Sequence, residues 1–446
     1  MKIPVRIAAP ILFALVLSVA IGGFLLWQIK SSVRIIETSF MGGRSTPSFL
    51  QGIIKRPANA TDAIGNQSEA LTALRDGEIF ELKGEWKRAE EKYAASVASG
   101  GGAPALRKLI NMQLQRREYD AAASSIADLR EERGNSPDVT FLEGLLALDK
   151  GDAKGAKKIF ERDNDPRNQF GVAMAGVVLG DHETAKNILV IASQSGDPDI
   201  RISASIVLGA YNEFALFPNG QNIHLQTLLA RSLAQVHACE PALTLLNGVV
   251  NNAPRYRDAW IVKGYCEFVG ERLKESLASL EQAYTLDAEK PEIQYFLART
   301  HAALGDPQNA VTFLRYAIVN GFTPVRDARQ LLSQYALELG NTDLALEQFR
   351  LLAEQEDSDA GDIAAYVNLA VQSNSHAVDA LQVAKQGLKR WPDDPQVLAL
   401  AAKAALAAGL PDDATRYLQS ALRIDPRNAE ALKVQETMKK PATQPK

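Results

Sequence analysis

Along most of the chain, apolar positions fall at the helical period, and one short pattern keeps returning: a turn, a small residue, then a bulky one four positions later. The small column reads Ala89, Ala122, Ala156, Ala185, Ala242, Ser276, Ala310, Ala345, Ala380 and Ala414. Four residues on stand Tyr93, Ile126, Phe160, Leu189, Leu246, Leu280, Leu314, Phe349, Ala384 and Leu418. Residues at i and i+4 share one helix face, so the pattern predicts a helix whose small residue admits a neighbour and whose bulky residue fills the gap. Turns such as Gly151-Asp152, Gly180-Asp181, Gly305-Asp306, Gly340-Asn341 and Gly409-Leu410 precede these helices, as does Lys83-Gly84-Glu85. Glycine closes one helix in the left-handed region and Asp or Asn caps the next. Each repeat is therefore read as helix, tight turn, helix. Alternating β-branched runs, the mark of strands, are missing.

Most successive small residues are separated by 33 to 35 positions, and two intervals break the rule, one of 29 and one of 57. A shortened first helix around residues 167–179 would account for the first. The second equals one repeat plus residues 199–222, in which 201–217 reads as an unpaired helix followed by the turn Pro218-Asn219-Gly220. Tyr211, Phe214 and Phe217 lie at helical spacing there. Two readings stand: they pack the odd helix against its neighbours, or they form a partner-binding edge or hinge.

A period near 34 has a family behind it. Trp260-x3-Gly264 followed by Ser276, Leu280 and Ala283 resembles the tetratricopeptide repeat, and so does the run from Gly409 through Ala414, Leu418 and Ala421 to Pro426. The resemblance spans roughly residues 70–438 and implies an all-α, tetratricopeptide-like solenoid of about ten helical hairpins. It also implies protein or peptide binding on a concave face lined by the first helices. In this register the inward positions are Ile261, Tyr265, Phe268, Tyr295, Arg299, Gln330 and Gln334, a strip of aromatics and amides with one cation. The Lys and Asn set of the carboxylate clamp found in some members is not evident. The chain is similar to bacterial membrane-anchored members, but lacks the metal-binding cysteine module that some of them carry.

Residues 7–29 hold no charge, and at about 1.5 Å per residue they are long enough to cross a hydrocarbon core. They predict a single transmembrane helix after a basic tail at 1–6. The alternative is a cleaved signal peptide ending at Ser18-Val19-Ala20, which would leave residues 21–29 apolar and exposed. A short basic tail ahead of the span favours a soluble part outside the cytoplasm. Residues 30–69 are dense in turn formers and read as a linker. A first repeat block at 70–198, the insert at 199–222 and a second block at 223–426 follow. Residues 427–446 complete the chain as a capping helix and a disordered tail.

Charge and cysteine usage narrow the function. A net charge of −4 with dispersed Lys and Arg does not suit phosphate neutralisation, so nucleic acid is not an expected partner. No Cys-x-x-Cys occurs; the two cysteines, Cys239 and Cys266, fall in adjacent repeats. They are either a bridge clipping neighbouring hairpins or two small buried apolar side chains. The five histidines are scattered, and no P-loop, dinucleotide fingerprint or nucleophile elbow is present. The expectation is a membrane-anchored, non-catalytic scaffold with no metal, cofactor or small-molecule substrate. The alternative is a non-catalytic subunit that recruits an envelope glycan or secretion enzyme.

Overall fold

A computed structural model describes residues 61–82, 86–217, 219–372 and 376–439. The span at 7–29, the linker up to residue 60, the Lys83-Gly84-Glu85 turn and the tail after Lys439 lie outside the described residues. Among the described residues there are 22 α-helices and no strand. No helix among them is long and apolar enough to cross a membrane.

Chain contacts divide the molecule into two units, one running to Leu286 and one from Asp287. The first unit contains α1 (Thr61–Leu82), α2 (Trp86–Ala98), α3 (Gly102–Gln115), α4 (Tyr119–Arg133), α5 (Pro137–Asp149), α6 (Ala153–Phe160) and α7 (Pro166–Leu179). It continues through α8 (His182–Ala192), α9 (Pro198–Phe214), α10 (Asn222–Gln235), α11 (Cys239–Asn252), α12 (Arg257–Val269) and α13 (Leu273–Leu286). The second unit contains α14 (Pro291–Ala303), α15 (Pro307–Val319), α16 (Val325–Glu338), α17 (Thr342–Glu354), α18 (Ala360–Ala370), α19 (Ala377–Arg390), α20 (Pro395–Ala407), α21 (Pro411–Ile424) and α22 (Ala429–Lys439). Helix α1 begins at Thr61, inside the stretch read as linker.

Each second helix packs on the first helix of its hairpin. The small column is the reason: all ten of its residues are at most 1% exposed, and nine of the ten bulky partners are buried with them, Phe349 being half-buried. Three first helices place a glycine sixteen residues before the bulky residue. A Cβ on Gly77, Gly144 or Gly264 would stand 2.5 Å from Tyr93, 2.2 Å from Phe160 or 2.6 Å from Leu280. The glycine thus lets the partner helix come close enough to bury its large side chain.

One expectation needs correction. The short interval does not come from α7, which has 14 residues; it comes from α6, the second helix of the preceding hairpin, with only eight. After Phe160 the chain reads Glu161-Arg162-Asp163-Asn164-Asp165-Pro166. Asp163 accepts from the Asp165 amide at 2.8 Å, and Asp165 accepts from the Arg167 amide at 2.9 Å. Pro166 favours an extended Asp165, and carboxylates disfavour a helix C-terminus, so α6 stops early. Of the two readings of the insert, packing against the neighbours is the one the structure shows. Its helix α9 packs on α7, α8 and α10, burying Ile200, Ala204, Val207, Ala210 and Tyr211. Tyr211 and Phe214 are packing residues, while Phe217 stays half-exposed, edge-on to His224 with ring centroids 5.0 Å apart.

Candidate protein-interaction face

Within each unit, first helices of neighbouring hairpins touch: α3 with α5, α5 with α7, α10 with α12, and α18 with α20. Side chains one repeat apart on these helices therefore form columns. At one repeat position, recurring at steps of 34 or 35 residues, the first unit holds Tyr265 on α12. In the second unit the same repeat position holds Arg299 on α14, Gln334 on α16, Asn368 on α18 and Lys403 on α20. Gln334 is exposed and the others are partly exposed. Lys403 donates to Asn368 at 2.6 Å and to Glu430 of α22 at 2.7 Å, which fixes the last steps of the ladder.

Arg299 is the centre of this face in the second unit. Its guanidinium lies 5.9 Å from the Tyr295 ring centroid. Burial pushes the Tyr295 phenol up to about 12, against the opposing pull of Arg299. Burial also raises the Asp327 carboxyl, with Arg326 and Arg299 opposing it, and raises Tyr335, again with Arg299 opposing. Asp327, Tyr335 and Arg299 thus share one electrostatic neighbourhood. Gln330 is exposed beside it, and Gln334 donates to Glu338 at 3.3 Å.

Tyr295 itself is not available to a partner. It is 3% exposed and lies flat against Phe322, with centroids 4.2 Å apart and planes at 6°. Its column, Ile261, Tyr295 and Gln330, continues as Ala364 and Ala399, and Ala399 is fully buried. That position rotates in and out of the core from repeat to repeat, so it makes no continuous face. In the first unit, Ile261, Tyr265 and Phe268 are half-buried along α12, and Tyr265 packs on the main core of that unit.

The first unit uses its own first-helix surface differently. Helix α11 leaves its hairpin partner on one side and packs on α5 and α7 on the other, burying Leu243, Leu245, Leu246, Val249 and Val250. Around its N-terminus a charged seam joins turns distant in sequence. Arg116 meets Glu90, Glu118 at 2.9 Å and Glu271 at 3.3 Å. Glu240 takes Arg272 at 2.7 Å and Arg117 at 3.6 Å. Tyr119 donates to the Asp149 carbonyl at 3.0 Å. Burial and the nearby Glu240 hold the Asp149 carboxyl well above its usual range, with Arg117 opposing.

Three turns of the seam carry a non-glycine residue in the left-handed region: Arg117 at φ 60°, His237 at φ 65° and Glu271 at φ 55°. Elsewhere the equivalent slot holds glycine, as at Gly151, Gly180, Gly305, Gly340 and Gly409. A side chain there costs about 1 kcal/mol or more, and it persists where neighbouring contacts hold it. Asn368, Lys403, Asp327 and Tyr335 were not among the expected site residues. Continuing the repeat period from Arg299 and Gln334 would have reached the first two. Asp327 stands three residues before Gln330 on the same helix face.

The family model described as tetratricopeptide repeat matches residues 271–327 and, in a second form, residues 373–436. No curated protein matches the chain. Among solved structures, YrrB, titled a tetratricopeptide-repeat protein with an unusual peptide-binding site, is 19% identical. That match covers 50% of this chain and 97% of YrrB at a TM-score of 0.30. TTC0263 of Thermus thermophilus, a thermophilic tetratricopeptide-repeat protein, is 20% identical over 46% of this chain and 98% of its own, with a TM-score of 0.30. PilF of Pseudomonas aeruginosa is 16% identical over 48% and 97%, with a TM-score of 0.34. Residues 271–327 and 373–436 thus carry tetratricopeptide repeats, and the same period and buried small column recur through the other described hairpins.

Proposed function

We propose that the protein is a non-catalytic, membrane-tethered scaffold that holds an extended peptide or partner helix on the first-helix column of its repeats. The observation that carries this is the ladder Arg299, Gln334, Asn368 and Lys403, with one polar side chain per hairpin in the second unit. Amide groups at repeat spacing suit a partner backbone, and Arg299 beside Tyr335 suits a carboxylate or an aromatic ring. Three of the five histidines make structural contacts: His182 contacts the Tyr211 hydroxyl at 3.1 Å, His224 the Tyr256 hydroxyl at 2.7 Å, and His301 pairs with Asp306 at 3.2 Å. Among the described residues, no three His, Cys, Asp or Glu side chains are grouped so as to hold a metal.

The uncharged segment 7–29 supplies the tether in this reading, with the repeats outside the cytoplasm. Protease shaving of intact cells tests the orientation: digestion of the repeats supports it, and full protection contradicts it. For the binding face, the full chain is purified in detergent with its co-purifying partner, and Arg299→Glu and Gln334→Ala are compared with wild type. The reading expects at least about tenfold weaker binding, equivalent to about 1.4 kcal/mol, with helicity unchanged. Unchanged affinity in the double variant would overturn the assignment of the face.

A further inference from the structure

Cys239 is the first residue of α11, and Cys266 lies in the third turn of α12. The two helices pack together, and both cysteines sit in the main core of the first unit. Both thiols are free, and the packing of α11 on α12 sets them in one electrostatic neighbourhood, where each affects the other's proton. Cys266 is fully buried, whereas Cys239 is partly open to solvent at the helix end. The polar seam reaches this point too, because Arg272 bonds to Glu240, the residue next to Cys239.

We propose that Cys239 and Cys266 form a redox-modifiable dithiol that closes to an intramolecular disulfide by exchange with an oxidised thiol donor, locking α11 to α12. Access sets the order of events. The Cys239 thiolate attacks one sulfur of the donor disulfide, forming a mixed disulfide and releasing the first donor thiol. The Cys266 thiol then loses its proton, and its sulfur attacks the Cys239 Sγ, releasing the second. Two protein thiols are oxidised by two electrons, and one donor disulfide is reduced to two thiols. The second step is the slow one: burial, the neighbouring Cys239 and Glu240 all disfavour a Cys266 thiolate, and Arg272 alone opposes them. The consequence is structural, because α11 is the helix laid on α5 and α7. A covalent clip at its first residue restrains that packing.

The test uses the full chain, purified reduced in detergent and exposed to glutathione disulfide, with intact mass read after acid quench. Wild type should lose two hydrogens and keep no glutathione. Cys266→Ser should hold one glutathione on Cys239, and Cys239→Ser should react at least about tenfold more slowly than Cys266→Ser. Cys→Ala variants serve where serine perturbs the core. Oxidised wild type should also unfold at a higher urea concentration, and Cys266→Ala should show no such shift. Wild type that keeps glutathione, joins into covalent dimers or retains two alkylatable thiols overturns the proposal.

Discussion

The two units are made of the same hairpin and use it in different ways. In the second unit the turns keep their glycines at Gly305, Gly340 and Gly409, and the first-helix column presents exposed Gln334 among partly exposed Arg299, Asn368 and Lys403. In the first unit Gly151 and Gly180 remain, but Arg117, His237 and Glu271 replace the glycine at three other turns, and α11 covers the surface of α5 and α7. Two of the three strained residues make ion pairs across the seam, Arg117 with Glu240 and Glu271 with Arg116. The lesson is that a repeat surrenders its preferred turn residue where a side chain at that spot joins distant parts of the chain. A solenoid built only from neighbour contacts has no use for such residues.

The contrast is easiest to break in the cores. Phe160, fully buried under Gly144 and Gly171, should cost about 3–5 kcal/mol when changed to Ala. Hydrogen exchange should show the loss in the first unit, with amides of the second unit unaffected. Exchange rising equally in both would mean that they unfold as one. Removing α9 should have a still wider effect in the first unit, because α9 supplies core to α7, α8 and α10. A folded deletion variant would return α9 to the role of a separable insert.

Ion pairs come next. Arg116→Ala strands Glu90, Glu118 and Glu271 around a side chain only 16% exposed, and should cost about 1–3 kcal/mol in urea unfolding. Arg350→Ala in the second unit removes only an exposed pair with Glu354 within α17 and should cost about 0.5 kcal/mol or less. Equal losses would remove the seam's special status.

The turns should respond with opposite sign. His237→Gly relieves a left-handed side chain that makes no ion pair among the described residues, and should stabilise the first unit by about 0.5–1 kcal/mol. Gly409→Ala, at φ 75°, should destabilise the second by about 1 kcal/mol. A destabilising His237→Gly would show that the imidazole has work in the seam.

The smallest effect is a pH slope confined to the first unit. Burial beside Tyr211 lowers the His182 pKa, with Asp181 opposing weakly. The folded state thus keeps the ring neutral while the unfolded chain takes up a proton at the ordinary value of about 6.5. This contribution to stability is complete above that value and is lost as pH falls through the lowered folded one. His182→Gln should flatten this part of the stability profile, and an unchanged slope would assign it elsewhere.

How much of this was visible in the residues depends on whether the cause is local. The hairpins were legible because close helix packing needs a small residue and a bulky one at fixed spacing, and nine of the ten pairs announce it, Ala380 and Ala384 being the exception. The fate of α9 was not, since Ile200, Val207 and Tyr211 look the same whether they face a core or a partner. The short α6 was hidden because the interval between alanines cannot say which helix lost residues. Tyr295 was misplaced because its column changes its facing between repeats, whereas Arg299 and Gln334 belong to one that does not. The missing turn glycines at Arg117, His237 and Glu271 were readable, but their meeting at one seam depends on a chain path that no local spacing encodes.

The most direct test of the account places a photo-reactive amino acid at Gln334 or Asn368, and separately at Arg315 or Glu347 on the second helices α15 and α17, in the full chain in its native membrane. The account predicts that one and the same partner protein is captured from Gln334 and Asn368 and not from the second-helix positions. Capture from Arg315 and Glu347 alone would contradict it.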